Sequence, residues 1–252
     1  MTTPIDSLRG KTVLVTGAAK RIGKAVALAL ADAGSNVVIH YNRSERESED
    51  TADHVRRHGV SAWTVRANLS DSSETASLVD NVLDMTGAID CLVNSASVFP
   101  ESTVDSIGAS SLADVVGVNA LAPLVLSRAF ARRAGTGAIV NILDNRIDRI
   151  DTVHAEYQLS KGMLHTLTLM TAVEFAPRIR VNAVAPGLIL PPPGHDAAYL
   201  GNLTGRTLLG RHGSPDDIAG AVLYLLTAPF VTGQILVVDG GENLKRAAYG
   251  GV

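Results

Sequence analysis

The segment Lys11-Thr-Val-Leu-Val-Thr-Gly-Ala-Ala-Lys-Arg-Ile-Gly23 constrains the fold more than any other part of this chain. An apolar run ends in a tight glycine turn, and a helical segment follows at once. A strand that ends this way builds an anion site, because backbone N–H groups and the positive end of the helix point at whatever sits above the turn. A dinucleotide pyrophosphate fits there. Gly17 supplies the turn, and Gly23 lets the helix pack closely on the strand. Arg21 replaces the middle glycine of the usual pattern. Its guanidinium can bond a phosphate oxygen. A glycine turn alone is weak evidence, so the reading depends on what the remaining residues add.

They add alternation. Short apolar runs predict strands over 12–16, 36–41, 61–66, 91–94, 138–143, 180–183 and 234–238. Helical patterns lie between them, over 21–33, 45–58, 73–85, 110–133, 154–175 and 215–226. This order implies βαβ units and an α/β fold: a Rossmann-type, doubly wound, seven-stranded parallel sheet with helices on both faces. Hydrophobic residues form 46% of the chain, enough to bury such a sheet on both sides. No Pro/Gly/Ser-rich linker, composition shift or internal repeat divides the 252 residues, so 1–252 reads as a single domain. The stretch 188–206 contains Pro191-Pro192-Pro193-Gly194 and has no strong period. A loop of that length in a compact domain is usually functional or disordered, and its place after a strand makes a substrate lid the leading expectation over a passive surface loop.

Composition excludes several classes. A formal net charge of −3 and a pI near 6.1 argue against a general nucleic-acid surface. Cys91 is the only cysteine, so no internal disulfide forms and a reducing compartment fits. The first residues, Met1-Thr-Thr-Pro-Ile-Asp6, do not read as a signal peptide. No apolar run reads as long enough to span a bilayer. The expectation is a cytoplasmic protein with no membrane or nucleic-acid partner. His54 and His58 stand four apart on a helix, and neither they nor the other histidines show metal-ligand spacing with supporting acids or cysteines. No metal is expected.

Cofactor choice is read where the second strand ends. An NAD enzyme usually carries an acidic residue there for the ribose hydroxyls. Here His40-Tyr41-Asn42-Arg43-Ser44 contains none before Glu45. Arg43 and Ser44 suit a 2′-phosphate, which predicts NADPH.

Tyr157-Gln-Leu-Ser-Lys161 places tyrosine and lysine four apart, on one helix face. With Thr16-Gly17, Asn94-Ser95-Ala96, Asn119, Pro186-Gly187 and Asp239-Gly240-Gly241, the chain resembles the short-chain dehydrogenase/reductase superfamily over nearly its whole length. Within it, Thr16–Gly23, His40–Ser44, Asn94-Ser-Ala-Ser-Val-Phe99 and Asp144, thirteen residues before Tyr157, resemble pteridine reductases. Pro186–Leu190 and Phe230-Val-Thr-Gly233 are similar to the bacterial dihydromonapterin reductase branch.

The resemblance implies the following roles. Tyr157 is the proton donor. Lys161 holds the nicotinamide ribose and, with the charge of the oxidised ring, lowers the phenol from its ordinary value of about 10. Asn119 completes a water-linked proton path. Gly17, Arg21, Ile22 and Gly23 hold the pyrophosphate, with Tyr41, Asn42, Arg43 and Ser44 at the adenosine ribose. Asn68 and Leu69 lie at the adenine edge, and Asn94, Ser95 and Ala96 follow the fourth strand. Pro186, Gly187 and Leu188 approach the carboxamide, although Leu188 stands where many members have threonine. Ser97 contacts the pterin or the cofactor phosphate, and Phe99 stacks on the pterin opposite the nicotinamide. Arg21 and Leu188 complete that pocket.

Asp144 is the departure that points to a substrate class. Ordinary members carry a serine here, whose hydroxyl donates to a carbonyl. An ionised aspartate only accepts, and it repels a developing oxyanion. It suits a substrate that presents N–H groups or a C=N bond, as a reduced pterin does. Asp148 and Asp151 share its loop and are alternatives for that role. The expected activity is NADPH-dependent reduction of a dihydropterin or dihydrofolate, with Tyr157 and Asp144 supplying the proton. A carbonyl reductase acting on ketones or 3-oxoacyl groups is the alternative, and a non-catalytic nucleotide sensor is a third reading. A homotetramer is expected, because helices 110–133 and 154–175 are apolar on more than one side.

Overall fold

The apolar run that opens the chain forms β1 (Thr12–Val15), buried along its whole length. The computed structural model describes residues 7–192 and 194–247; Met1–Asp6, Pro193 and the segment 248–252 lie outside the described residues. Six further strands join β1: β2 (Asn36–Tyr41), β3 (Ala62–Arg66), β4 (Cys91–Asn94), β5 (Gly137–Ile142), β6 (Ile179–Pro186) and β7 (Ile235–Val238). Every pairing is parallel and the order is β3-β2-β1-β4-β5-β6-β7. This is the doubly wound sheet expected from the sequence. β6 is longer than expected because β5 pairs with it from Ile179 to Val184 and β7 carries the pairing on to Pro186.

Successive residues of a strand face opposite sides, and the core divides accordingly. Val13 and Val15 pack with Val26 and Leu30 of α1 (Arg21–Asp32), Val55 of α2 (Glu45–Arg56), and Ile218 and Val222 of a later helix, Pro215–Thr227. Leu14, Leu92 and Ile139 face the other layer. There they meet Leu78 and Val82 of α3 (Ser72–Thr86), and Leu126 and Phe130 on the long helical run at 109–133. The chain lays β2 and β3 on one side of β1, then returns to place β4 on the other. The strand order reverses between β1 and β4, and the ligand crevice of such a sheet opens beyond the strand ends there.

That long run is not one regular helix. It consists of α4 (Ala109–Val116), a wider π turn over Gly117–Leu121, and α5 (Ala122–Arg133). Pro123 is the cause, since it has no N–H to donate four residues back, to the Asn119 carbonyl. Such bulges often mark functional sites. The run also corrects an expectation: by length and composition, with a mean hydropathy of 1.6, it is apolar enough to cross a membrane. In the fold 39% of that window is buried, and Leu126 and Phe130 lie wholly inside the second core layer. α6 (Ala155–Phe175) covers β6, with Leu164 against Ala183 and Ala185. The predicted loop 188–206 is partly ordered into α7 (Ala197–Gly201) and a single turn over Thr204–Arg206. Then come α8 (Pro215–Thr227), capped at Ser214, and α9 (Glu242–Ala247).

Candidate active site

The glycine turn is built by backbone contacts that admit no side chain. Gly17 has φ +65°, and a Cβ there would stand 2.8 Å from Ala96 Cα. A Cβ on Gly23 would meet the Gly17 carbonyl oxygen at 2.3 Å. Arg21 also has a positive φ, 58°, alone among the described non-glycine residues. This is the position where the usual pattern has glycine, and the conformation costs an L-residue on the order of 1–2 kcal/mol. Its guanidinium Nη2 donates to the Pro191 carbonyl at 2.9 Å, across an exposed gap. One exposed bond of that kind does not clearly offset the backbone cost. The arginine is therefore held there by something other than fold stability.

Neutral groups brace the turn. The His40 imidazole is buried, and its Nδ1 accepts the Gly17 N–H at 3.1 Å. Its Nε2 then donates to the Ala67 carbonyl, also at 3.1 Å. Burial lowers the His40 pKa to about 4, so the ring stays neutral and keeps this tautomer. Thr16 Oγ1 accepts the N–H groups of Ser95 and Ala96, which ties the end of β1 to the end of β4. Arg43 is exposed beside Ser44, which caps α2 without using its hydroxyl. Asn42 donates to Asn68, and Asn68 N–H donates to Glu74. Leu69 is buried beside them. A positive-φ glycine cradle, N–H groups at the start of α1 and an exposed cation at the end of β2 fit a dinucleotide bearing a 2′-phosphate.

Tyr157 and Lys161 are both buried on α6. The Tyr157 hydroxyl donates to Asp144 Oδ2 at 3.1 Å. Asp144, and not Asp151, is therefore the carboxylate that meets the phenol; Asp151 turns to Arg146 and His154. Burial and the Asp144 charge push the Tyr157 pKa well above the ordinary phenol value. Lys161 Nζ instead donates to the Ile142 carbonyl at 2.8 Å, and burial lowers it to about 8. As the protein stands, Tyr157 is a firmly held proton.

Arg146, missed from sequence, organises this corner. Its backbone N–H and Nε donate to Asp144 Oδ1 at 2.8 and 3.0 Å, and its Nη2 donates to Oδ2 at 3.2 Å. Nη1 bonds Asp151. Burial works to raise Asp151, but bonds from the Val153 N–H and Arg146 hold it below the usual carboxylate range. Asp151 also bonds His154 Nδ1 at 3.0 Å. The His154 ring stacks on Phe99, with centroids 4.0 Å apart and planes at 16°. Tyr157 meets Phe99 edge-on at 4.6 Å and 89°. Phe99 thus stands half exposed at the crevice, backed by one ring and flanked by another.

The side chains of three predicted residues are engaged within the protein itself. Asn119 Oδ1 accepts from Val98 N–H and Ser97 Oγ, and its Nδ2 donates to the Val98 carbonyl and Ser160 Oγ. With every side-chain position taken, only its backbone is left for a water path. Ser97 is accordingly engaged with Asn119. The Asn94 amide turns inward to Asn141 and Ser127, so its approach to a cofactor is through the backbone. Pro186 is buried at the end of β6, and a Cβ on Gly187 would lie 2.5 Å from Asp239 Cβ. The Leu188 carbonyl accepts Gly213 N–H, which pins the start of the 188–206 loop. Ile22 packs against the first core layer. Among the described residues no cluster of three metal-ligating side chains is found.

Known proteins share this fold. Residues 17–243 match a family model described as enoyl-(acyl carrier protein) reductase. Two solved structures titled FolM alternative dihydrofolate reductase 1, from Brucella suis and Brucella canis, both in complex with NADP, are each 34% identical. They superimpose with TM-scores of 0.88 and 0.86, and each comparison covers 95% of this chain and 96% of the other. A 3-oxoacyl-[acyl-carrier-protein] reductase of Synechocystis is 31% identical over 94% of this chain and 98% of its own length.

Proposed function

Because this chain belongs to the short-chain dehydrogenase/reductase family, we propose that it is an NADPH-dependent pterin reductase, which takes a dihydropterin or dihydrofolate to the tetrahydro form. The observation that carries the reading is the 3.1 Å bond between Tyr157 and Asp144. Where a ketone reductase would offer a hydroxyl donor, this chain offers an acceptor, which matches a ring edge rich in N–H groups. The likeness to the NADP-bound dihydrofolate reductases supports the same reading.

The chain's own residues divide the work. Gly17, Arg21, Ile22 and Gly23 would hold the pyrophosphate, and Tyr41, Asn42, Arg43 and Ser44 the phosphorylated ribose. Asn68 and Leu69 would flank the adenine, and backbone at Asn94, Ser95, Ala96, Pro186, Gly187 and Leu188 would frame the nicotinamide half. Lys161 would bond the nicotinamide ribose. When bound, the reduced nicotinamide supplies the hydride. Phe99 stacks on the pterin, Asp144 accepts from its N–H edge, and Tyr157 gives its proton to the ring nitrogen as the neighbouring carbon is reduced. Ser97, Arg21 and Leu188 border the same space.

A panel of folate, dihydrofolate, biopterin, dihydromonapterin and a simple ketone or 3-oxoacyl thioester, each with NADPH, tests the reading. Turnover of a dihydropterin well above the ketone supports it. Turnover of the ketone alone would give the alternative carbonyl reductase, and turnover of none a nucleotide sensor.

A homotetramer is the proposed assembly. Leu121 beside α5, and Leu159, Met163, Met170 and Val173 of α6, are exposed apolar side chains on neighbouring helices, a surface suited to a second copy. Light scattering at micromolar concentration is expected to give four chains, and a monomer would contradict it. A cytoplasmic location is proposed with it, since the sole cysteine, Cys91, is buried and unpaired.

A further inference from the structure

Asp144 lies at the centre of the site, yet all of its accepting capacity is in use. A carboxylate offers about four lone-pair sites. Oδ1 takes the Arg146 backbone N–H and Nε, and Oδ2 takes Arg146 Nη2 and the Tyr157 hydroxyl. Three of the four donors belong to one residue. That residue is anchored from behind by Asp151, which also grips His154 and its own loop through Val153 N–H. Gln158 closes the frame, bonding the Arg146 carbonyl and accepting Asp151 N–H. Only the bond from Tyr157 can be exchanged without dismantling this frame.

We propose that Arg146 is a positioning residue that reserves Asp144 as an acceptor with one exchangeable place, so that Tyr157 alone delivers the proton. The inference rests on the pterin reductase reading for the identity of the substrate, but not for the role of Arg146. When the Tyr157 hydrogen turns from Asp144 toward a substrate nitrogen, Oδ2 gains one free lone pair, and a substrate N–H takes it. The tyrosine O–H bond breaks, a nitrogen–hydrogen bond forms, and the phenolate is left beside a carboxylate. Arg146 offsets that repulsion: its guanidinium carbon lies 5.8 Å from the Tyr157 ring centroid and 5.1 Å from that of Phe99. The same cation thus orients Asp144 and compensates the charge that proton transfer leaves behind.

The charged and titratable groups around Asp144 define the test. Tyr157 and Lys161 face it from α6, Arg146 and Asp151 from its own loop, and His154 joins through Asp151. Arg149, Asp239 and Glu242 lie around the neighbouring Asn145. Arg146→Gln removes the fork and the charge together, while Arg146→Lys keeps the charge alone.

The kcat/KM of whichever substrate the wild type reduces is expected to fall about tenfold or more in Arg146→Gln, with its acid limb moved to higher pH. A smaller fall and a smaller movement are expected in Arg146→Lys. NADPH affinity is expected to change by less than about threefold, since none of these bonds reaches the glycine turn. A lowered melting temperature with an unmoved acid limb would make Arg146 merely structural and overturn the proposal. If Arg146→Gln does not fold, a wild-type kcat/KM and wild-type acid limb in Arg146→Lys overturn it equally. Should the wild type reduce only ketones, the pterin reading fails while the acid limb of ketone turnover still decides the role of Arg146.

Discussion

Two halves of one crevice are held in different ways. The glycine turn is braced by neutral groups: His40 between Gly17 and Ala67, and Thr16 under Ser95 and Ala96. The catalytic corner is held by charges, Asp144 and Asp151 on Arg146 with His154 behind them. Neutral backbone bracing keeps its shape whatever lies above it. A charged frame redistributes when a proton moves. The division places rigidity where an anion must be cradled and electrostatic responsiveness where a proton must be transferred.

Four expected outcomes break or sharpen this contrast. The largest is at the corner. Tyr157→Phe is expected to lower kcat by about 10²- to 10⁴-fold, the range for a lost general acid. NADPH affinity, measured by calorimetry, is expected to stay within about threefold. A parallel loss of affinity would mean that the two halves are not separable.

The next concerns the cradle and has a defined pH window. The folded His40 has a pKa of about 4 against 6.5 for an ordinary histidine. As pH falls, the unfolded chain takes up this proton first. Stability from the neutral ring is therefore complete above about pH 6.5 and is lost as pH approaches 4, by roughly 3 kcal/mol at most. Denaturant unfolding from pH 7 to 4 is expected to show this slope, and His40→Asn to flatten it. Identical slopes in both proteins would remove His40 from the account.

Arg43→Ala is expected to weaken NADPH more than tenfold relative to NADH, since a charge-assisted bond to phosphate contributes about 1.5–3 kcal/mol. Equal losses for both cofactors would mean that Arg43 does not read the 2′-phosphate.

The smallest effect is at the seam between the halves. Arg21→Gly relieves the positive φ of that position but adds the freedom of glycine to the unfolded chain, so unfolding free energy is expected to rise by no more than about 1 kcal/mol. Cofactor or substrate affinity is expected to drop. Greater stability with affinity unchanged would leave the arginine without a reason to be there.

The cradle was legible in the sequence and the corner only partly so. Gly17, Arg21 and Gly23 are local: a strand, a turn and a helix within a few residues dictate the geometry, and the residue types state the backbone need. Tyr157, Lys161 and Asp144 emerged through resemblance, and the structure joins Asp144 to Tyr157. The frame behind them was not seen. Arg146 and Asp151 lie in a stretch with no helical or strand period, and His154 opens the predicted helix 154–175, so nothing in their spacing shows that one guanidinium holds both carboxylates. The signal available was an arginine two residues after the singled-out aspartate, between three acids. Pro123, four residues after Asn119, was the visible sign that the helix widens there. The charge that meets the Tyr157 hydroxyl is the Asp144 carboxylate, while the Lys161 ammonium donates to the Ile142 carbonyl.

The placement of β1 between β2 and β4 also governs how such a chain comes into being. On a ribosome, β1 and β2 emerge before β4, and one flank of β1 then waits, unpaired, until Cys91–Asn94 has been made. Pairings so distant along the chain form slowly, because the intervening loop must close before any contact rewards it. A nascent chain halted before β4 presents a bare apolar edge, a template for aggregation and a natural client for chaperones. The crevice comes into existence only when that gap closes, so a truncated product has no half-formed nucleotide pocket to offer.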